Sequence, residues 1–242
     1  MIVGLYTGAS SMVSQGNCQE VIARNLANVN TAGYKKAVPV FQSYLLKIQE
    51  GDTTRMKGSG NKLGKDSTDF SSGSLEYTGN DLDMAIKGDG FFAVQTEDGV
   101  RYTRKGQFTL SGDMKIITHE GWPLMGNGGE IQLPKGAQSI TVKANGGVSV
   151  DGKEIDKVKV MEIPNLTNLE SVGGCLYKLS SRASEPEIST KAEIAHRSVE
   201  RSNVNAVDEM VTMIANMRGF QSGSKVTESI NQTLEKLIKL AT

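Results

Sequence analysis

The chain has 242 residues, enough for one or two domains around a buried core. Lys plus Arg and Asp plus Glu number 27 each, so the formal net charge is zero with no long run of one sign, which argues against a broad nucleic-acid footprint or a polybasic membrane patch. Two distant cysteines, Cys18 and Cys175, exclude a zinc module or a disulfide scaffold and leave a single bridge open, and 27 glycines beside 5 % aromatic residues point to small, turn-rich packing.

Residues 1–19, MIVGLYTGASSMVSQGNCQ, carry no charge. A secretory signal needs a positive n-region and a continuous apolar stretch, and a membrane helix needs about 20 mainly apolar residues. Thr7, Ser10, Ser11, Ser14, Gln15, Asn17 and Gln19 break both patterns. Steps of three and four instead pick out Leu5, Gly8, Met12, Gln15, Gln19, Ile22, Leu26 and Val29, which predicts a helix with one apolar seam. Its five larger seam residues would contribute roughly 1.5–3 kcal/mol each on full burial. Ordering about thirty backbones costs about 1–2 kcal/mol apiece, so the helix needs a partner. Gly4, Gly8, Ala9 and Gly16 flank the seam and would let other helices approach closely, which favours a bundle made from several copies.

The helix should end in NLANVNTAGYKK, residues 25–36. Asparagine bonds locally and tolerates left-handed geometry, so Asn28 and Asn30 can close the last carbonyls while Gly33 permits the turn. On spacing alone, Asn25, Asn28 and Asn30 read equally well as plain caps of an intramolecular hairpin.

Beyond it the period changes. Short alternating runs at 82–86, 91–95, 100–103, 107–110, 114–117, 130–133, 139–142, 148–150 and 158–163 are bounded by turn pairs such as Asp89-Gly90, Asp98-Gly99 and Asp151-Gly152, the pattern of antiparallel strands. Residues 50–74 and 180–192 have neither period and are expected as exposed connectors. At the C-terminal end Val207, Met210, Ile214 and Met217 form a second helical seam, continued after a one-residue slip near Gly223 by Ile230, Leu234 and Leu237. The expected fold is therefore α+β. Residues 1–34 and 200–242 form a helical domain of paired terminal helices, 35–75 and 180–199 connect, and 76–179 form an inserted antiparallel β-rich domain.

Catalytic patterns are weak. GDGFFA, 88–93, fits a relaxed dinucleotide motif, but β-forming residues follow where a helix is required. His119 and His196 lie in no ligand spacing. Ser222 and Lys225 fit Ser-x-x-Lys without its usual companions, and the acid pairs Asp81/Asp83 and Glu185/Glu187 read as turn and solvent-facing residues. No cofactor, metal, nucleic acid, small-molecule substrate or membrane insertion is expected.

Three long blocks, ARNLANVNTAGYKK (23–36), LDMAIKGDGFFAVQTEDGVRYTRKGQF (82–108) and ERSNVNAVDEMVTMIANMRGF (200–220), resemble in order and spacing the signature blocks of the bacterial flagellar basal-body rod and hook family. The matching positions are Asn25, Leu26, Ala27, Asn28, Gly33 and Lys35 in the first, and Gly88, Gly90, Phe91, Phe92, Tyr102, Thr103, Arg104 and Gly106 in the second. Ser202, Asn203, Val204, Met213, Ile214 and Arg218 match the third. Tyr34 and Gly219-Phe220 depart from the commoner residues at those places. The resemblance implies a structural rod subunit whose terminal helices pair as an axial coiled coil, assemble with other copies and neighbouring rod proteins, and transmit torque to the hook. It also implies delivery to the periplasmic rod through the flagellar type III export apparatus without a cleaved signal. The modest length and GWPLMGNGGEIQLPKGA (121–137) look most like the proximal-rod member adjoining the distal rod, with the distal-rod protein as alternative. A monomeric β-rich binding or adhesin module and a Gly-rich hydrolase or nucleotide enzyme are the readings from other classes.

Overall fold

The computed structural model describes residues 2–50, 53–64, 66–137, 139–180, 185–189 and 192–241. It is an α+β protein whose chain divides into two compact units. Unit 1 is Met1–Ala27, Ala37–Asp69 and Val204–Thr242, and unit 2 is Asn28–Lys36 with Phe70–Asn203.

Unit 1 comprises α1 (Ile2–Ala27), β1 (Ala37–Val38), β2 (Phe41–Glu50), β3 (Thr53–Leu63), β4 (Ser67–Thr68) and α2 (Ala206–Ala241). Helix α2 starts on a side-chain cap, Val207 N donating to Asn205 Oδ1 at 3.0 Å, with Asp208 and Glu209 in the positive first turn. The two helices lie together through small and polar residues. A β-carbon on Gly8 would stand 3.1 Å from Thr227 Oγ1, one on Gly223 3.4 Å from Met12 Cγ, and Asn216 Nδ2 donates to Gln15 O at 2.8 Å. Along α2 the covered face therefore runs through Glu209, Met213, Asn216, Gly223, Thr227 and Ile230. On α1, Ile22 is buried and Met12 and Leu26 are half-buried, with Val21 buried beside them, whereas Val29, expected on the same seam, lies past the helix end at Ala27 in a turn of unit 2.

The stretch 50–74, expected as a connector, carries the last residue of β2 and the whole of β3 and β4. Strand β3 pairs with β2 over its whole length, with Gly58 opposite Leu45 and Gly60 opposite Tyr44. Its glycines and lysines erase the two-residue period, and the ladder is set by its partner strand.

Unit 2 holds β5 (Leu75–Tyr77), β6 (Met84–Lys87), β7 (Phe91–Thr96), β8 (Gly99–Thr103), β9 (Phe108–Leu110) and β10 (Ile116–Thr118). It continues through β11 (Met125–Gly126), β12 (Gly129–Glu130), β13 (Ile140–Val142), β14 (Gly147–Val150), β15 (Lys153–Lys157) and β16 (Val160–Glu162). The last strands are β17 (Leu169–Gly173), β18 (Leu176–Leu179), β19 (Glu187–Ile188), β20 (Glu193–His196) and β21 (Ser198–Glu200). A six-stranded antiparallel sheet, β17-β18-β8-β7-β16-β19, is its largest element, beside the three-stranded β13-β14-β15. Each of the nine predicted runs overlaps one of these strands. Asp151 (φ 49°) and Gly152 (φ 83°) make the two-residue turn between β14 and β15, where both central residues must be left-handed. The polar strands β15 and β17–β21 have no clear alternation, and the expected connector at 180–192 places β19 on the sheet edge.

The main core gathers Met84, Phe92, Val94, Phe108, Ile116, Leu124 and Val148, with Trp122 packed against it, while Phe91, Tyr102, Met161 and Tyr177 form a second cluster with Phe70. Phe92 and Phe108 meet edge to face at 5.4 Å and 90°. Phe92→Ala should therefore destabilise unit 2 by about 3–5 kcal/mol, read as a lower urea midpoint of Trp122 fluorescence; an unchanged midpoint would contradict this packing.

Candidate functional site

Glu200, at the end of β21, is fully buried and meets two buried cations. Lys35 Nζ donates to Oε1 at 2.7 Å and Arg104 Nη1 to Oε2 at 3.3 Å, with side-chain exposures of 0 % for Lys35, 4 % for Arg104 and 2 % for Glu200. A buried carboxylate survives only when paired and hydrogen-bonded, and this one is saturated further by Gly73 N, which donates to Oε1 at 2.9 Å. Lys35 also donates to Ser71 O at 2.7 Å and Arg104 Nη2 to Gly88 O at 2.9 Å. The Arg104 guanidinium lies 5.1 Å over the Phe91 ring, a cation–π contact. Burial pulls the guanidinium below its ordinary value, and the charges of Glu200 and Asp89 oppose that shift.

Around this cluster the neighbouring backbone is stitched together. Gly33 N donates to Glu200 O at 2.7 Å, Lys36 N to Asn203 Oδ1 at 2.8 Å, Asn203 Nδ2 to Ser71 Oγ at 2.9 Å and Arg201 N to Ser74 O at 2.8 Å. Gly33 sits at φ 70°, and a β-carbon there would stand 2.3 Å from Lys105 N, so the position admits only glycine on both counts. Asn28 closes its turn by accepting from the Thr31 amide and hydroxyl, both at 3.1 Å, whereas the Asn30 side chain takes Arg201 Nη2 at 3.3 Å instead of capping a carbonyl.

Unit 1 holds a smaller counterpart. Asn25 is buried and clamps β1 from both sides, Nδ2 donating to Ala37 O and Oδ1 accepting from Ala37 N, each at 2.9 Å. The same amide donates to Glu209 Oε2 at 3.3 Å, which ties the end of α1 to the start of α2. Strand β1 pairs with β4, and Arg24 forms an ion pair with Asp66.

The structure thus brings Gly33, Lys35, Gly88, Phe91, Arg104 and Asn203 together in unit 2, and sets Asn25 among its own partners in unit 1. Phe92 and Gly106 belong with the main core, a β-carbon on Gly106 falling 1.6 Å from Met84 O; Tyr102 joins the second aromatic cluster; Gly90 abuts Val160. Val204 is buried, Ser202 and Val29 half-buried, and Arg218 exposed. Glu200 and Glu209 lie inside the third block, and the signal in the sequence for Glu200 is a carboxylate beside Arg201 and Asn203 just ahead of a helix, while Glu209 beside Asp208 reads only as first-turn charge.

The C-terminal seam behaves differently. Val207 (67 % exposed), Met210 (50 %), Ile214 (53 %) and Met217 (43 %) face away from α1, joined by Val211 and Phe220. Val13, Ala9 and Gly16 are exposed on α1. Ile230 lies half-buried on the covered face; the side chains of Leu5, Leu234 and Leu237 fall outside the described residues. Both cysteines are free thiols, and burial pushes Cys175 up to about 11. His196 Nε2 donates to Asp81 O at 3.0 Å, and Ser222 and Lys225 lie exposed on α2.

Three family models match the chain: "Flagella basal body rod protein" over residues 5–35, "Flagellar hook protein FlgE/F/G D1 domain" over 85–150 and "Flagellar basal body rod FlgEFG protein C-terminal" over 196–240. Lys35, Arg104 and Glu200 fall one in each matched segment. Among similar proteins, the flagellar basal-body rod protein FlgG of Bacillus subtilis is 33 % identical, covering 99 % of both chains over 262 aligned positions. The flagellar basal-body rod protein FlgF of Rhizobium meliloti is also 33 % identical, covering 99 % of this chain and 98 % of its own over 245 positions. FlgG of Borreliella burgdorferi is 28 % identical over 97 % of each.

Replacing Gly33 by alanine imposes left-handed strain and a backbone clash at once, and should cost upward of about 1–3 kcal/mol. Chemical denaturation of the variant would measure it, and wild-type stability would contradict the close approach to Lys105.

Proposed function

The chain belongs to the flagellar basal-body rod protein family, and we propose that it builds the rod through the helix face that it leaves uncovered. It is a structural subunit of the bacterial flagellar basal body, not an enzyme, and it assembles with other rod components. The observation that carries the assembly reading is the stripe Val207, Met210, Val211, Ile214 and Met217, exposed along α2. Contiguous apolar surface of this kind marks an interaction site, and since each such side chain is about half exposed, covering it contributes about half of the roughly 1.5–3 kcal/mol of full burial. Two methionines in the stripe suit neighbours that are similar without being identical, because an unbranched thioether repacks easily. Exposed Ala9 and Gly16 on α1 would let another helix approach closely.

In this reading α1 and α2 form the axial coiled-coil domain, with Met12, Ile22, Leu26 and Ile230 contributing to its packing, and unit 2 is the β-rich domain. Delivery to the periplasmic rod runs through the flagellar type III export apparatus, and the subunit forms part of the shaft that carries torque to the hook. Within the family we assign it to the proximal-rod member adjoining the distal rod. The chain's shortness favours that choice, since the alignment over 245 positions fits its 242 residues with little insertion while the alignment over 262 does not. The distal-rod protein is the second reading, supported by the equal identity of the longer relative.

Because Ile214 is already exposed, Ile214→Asp should change the stability of the isolated chain by no more than about 0.5 kcal/mol while removing the subunit from purified basal bodies and abolishing motility. Deleting residues 2–27 should have the same cellular effect. Motile cells with normal rods in either case would overturn the proposal.

A further inference from the structure

We infer that Glu200 is a positioning residue that gathers the chain ends of unit 2 into a single load-bearing knot. The chain passes between the units four times, at 27/28, 36/37, 69/70 and 203/204. On the unit 2 side every one of these passages is bonded to Glu200 or to a residue beside it. The first is held at Asn30 by Arg201 and at Gly33 by the Glu200 carbonyl. The second is held at Lys35 by the Glu200 carboxylate. The third is held at Gly73 by the same carboxylate and at Ser71 by Lys35 and Asn203. The fourth is the segment of Glu200 itself.

Force reaching unit 2 along the backbone from either terminal helix therefore meets this cluster before it meets the sheet. Only an anion serves at the centre: the carboxylate balances two buried cations and accepts a backbone amide, whereas a glutamine of equal volume would turn an NH₂ toward one of them. The inference depends on the rod reading only for its cellular consequence.

Hydrogen exchange on the full-length protein tests it. In Glu200→Gln, amides of residues 28–36 and 70–74 should exchange roughly tenfold faster or more while those of β7 and β8 keep the wild-type rate. Adding Lys35→Met, which removes one stranded cation, should recover part of the protection. Unchanged exchange, an equal rise across the whole of unit 2, or a double variant no better protected than the single one overturns the inference. Should Glu200→Gln fail to fold, Asn203→Ala, at the rim of the cluster, is read by the same segments and the same criteria. In cells, the swimming speed of the surviving variant should fall more steeply with medium viscosity than that of wild type, and parallel curves would overturn the mechanical role. Failure of the rod reading would show separately, as absence of the wild-type chain from basal bodies.

Discussion

A carboxylate taken out of water must be compensated where it lies, and in this protein that requirement is met by residues far apart in the chain. Glu200 is separated from Lys35 by 165 residues and from Arg104 by 96. Removing a partner from such a cluster leaves a buried charge uncompensated, at a typical cost of about 3–5 kcal/mol, so the cluster is satisfied as a whole or fails as a whole. Each partner also arrives with its own backbone attached: Gly33 beside Lys35, Thr103 and Lys105 beside Arg104, Gly73 beside Ser71. Fixing one side chain fixes a segment, and the β unit closes on segments from three parts of the sequence. The aromatic cluster depends on the same arrangement, since Phe91 lies under Arg104 and packs edge to face on Phe70 at 5.5 Å.

The helices of unit 1 reverse the usual arrangement of an amphipathic pair. A helix normally hides its apolar stripe against its nearest neighbour, yet α2 covers glycine, threonine, asparagine and a buried glutamate beside Met213 and Ile230, and leaves Val207, Met210, Val211, Ile214 and Met217 largely in water. The covered face works because small residues bring the backbones close and because the polar groups on it are bonded, Asn216 to Gln15 O and Glu209 to Asn25. Close approach supplies dispersion contacts without large side chains. The larger side chains are thereby kept free of duties inside the chain.

What could be read from the sequence follows from how local each signal is. The two helices and the nine strands announce themselves through period and turn chemistry within a few residues: Asp151-Gly152 and Gly33 are legible because a left-handed backbone restricts the residue on the spot. Strand β3 was not legible, because Gly58 and Gly60 interrupt its alternation and its pairing is decided by β2. Glu200 was not legible as a centre, because nothing near it in the sequence reveals that Lys35 and Arg104 will stand beside it. The family blocks contained all three residues, so resemblance located the site, although it could not say which members of each block touch. Val207, Met210, Ile214 and Met217 were legible as a stripe, but the face that α1 covers was not, since apart from Met213 and Ile230 its small and polar residues leave no hydrophobic period.

In the proposed assembly, stability and association fall to different residues. Were the stripe of α2 part of the chain's own core, each neighbour docking on it would have to displace contacts already made, and the free energy of assembly would shrink by what the subunit lost. In that reading the exposed parts of Val207, Met210, Ile214 and Met217 surrender only water on burial, so the transfer free energy of that remaining area is available to association. The ion cluster and the core around Phe92 hold unit 2 without drawing on that surface. A subunit arranged this way can be folded before it meets its neighbours and still present them with an unsatisfied face, which a self-assembling shaft requires of every copy that joins it.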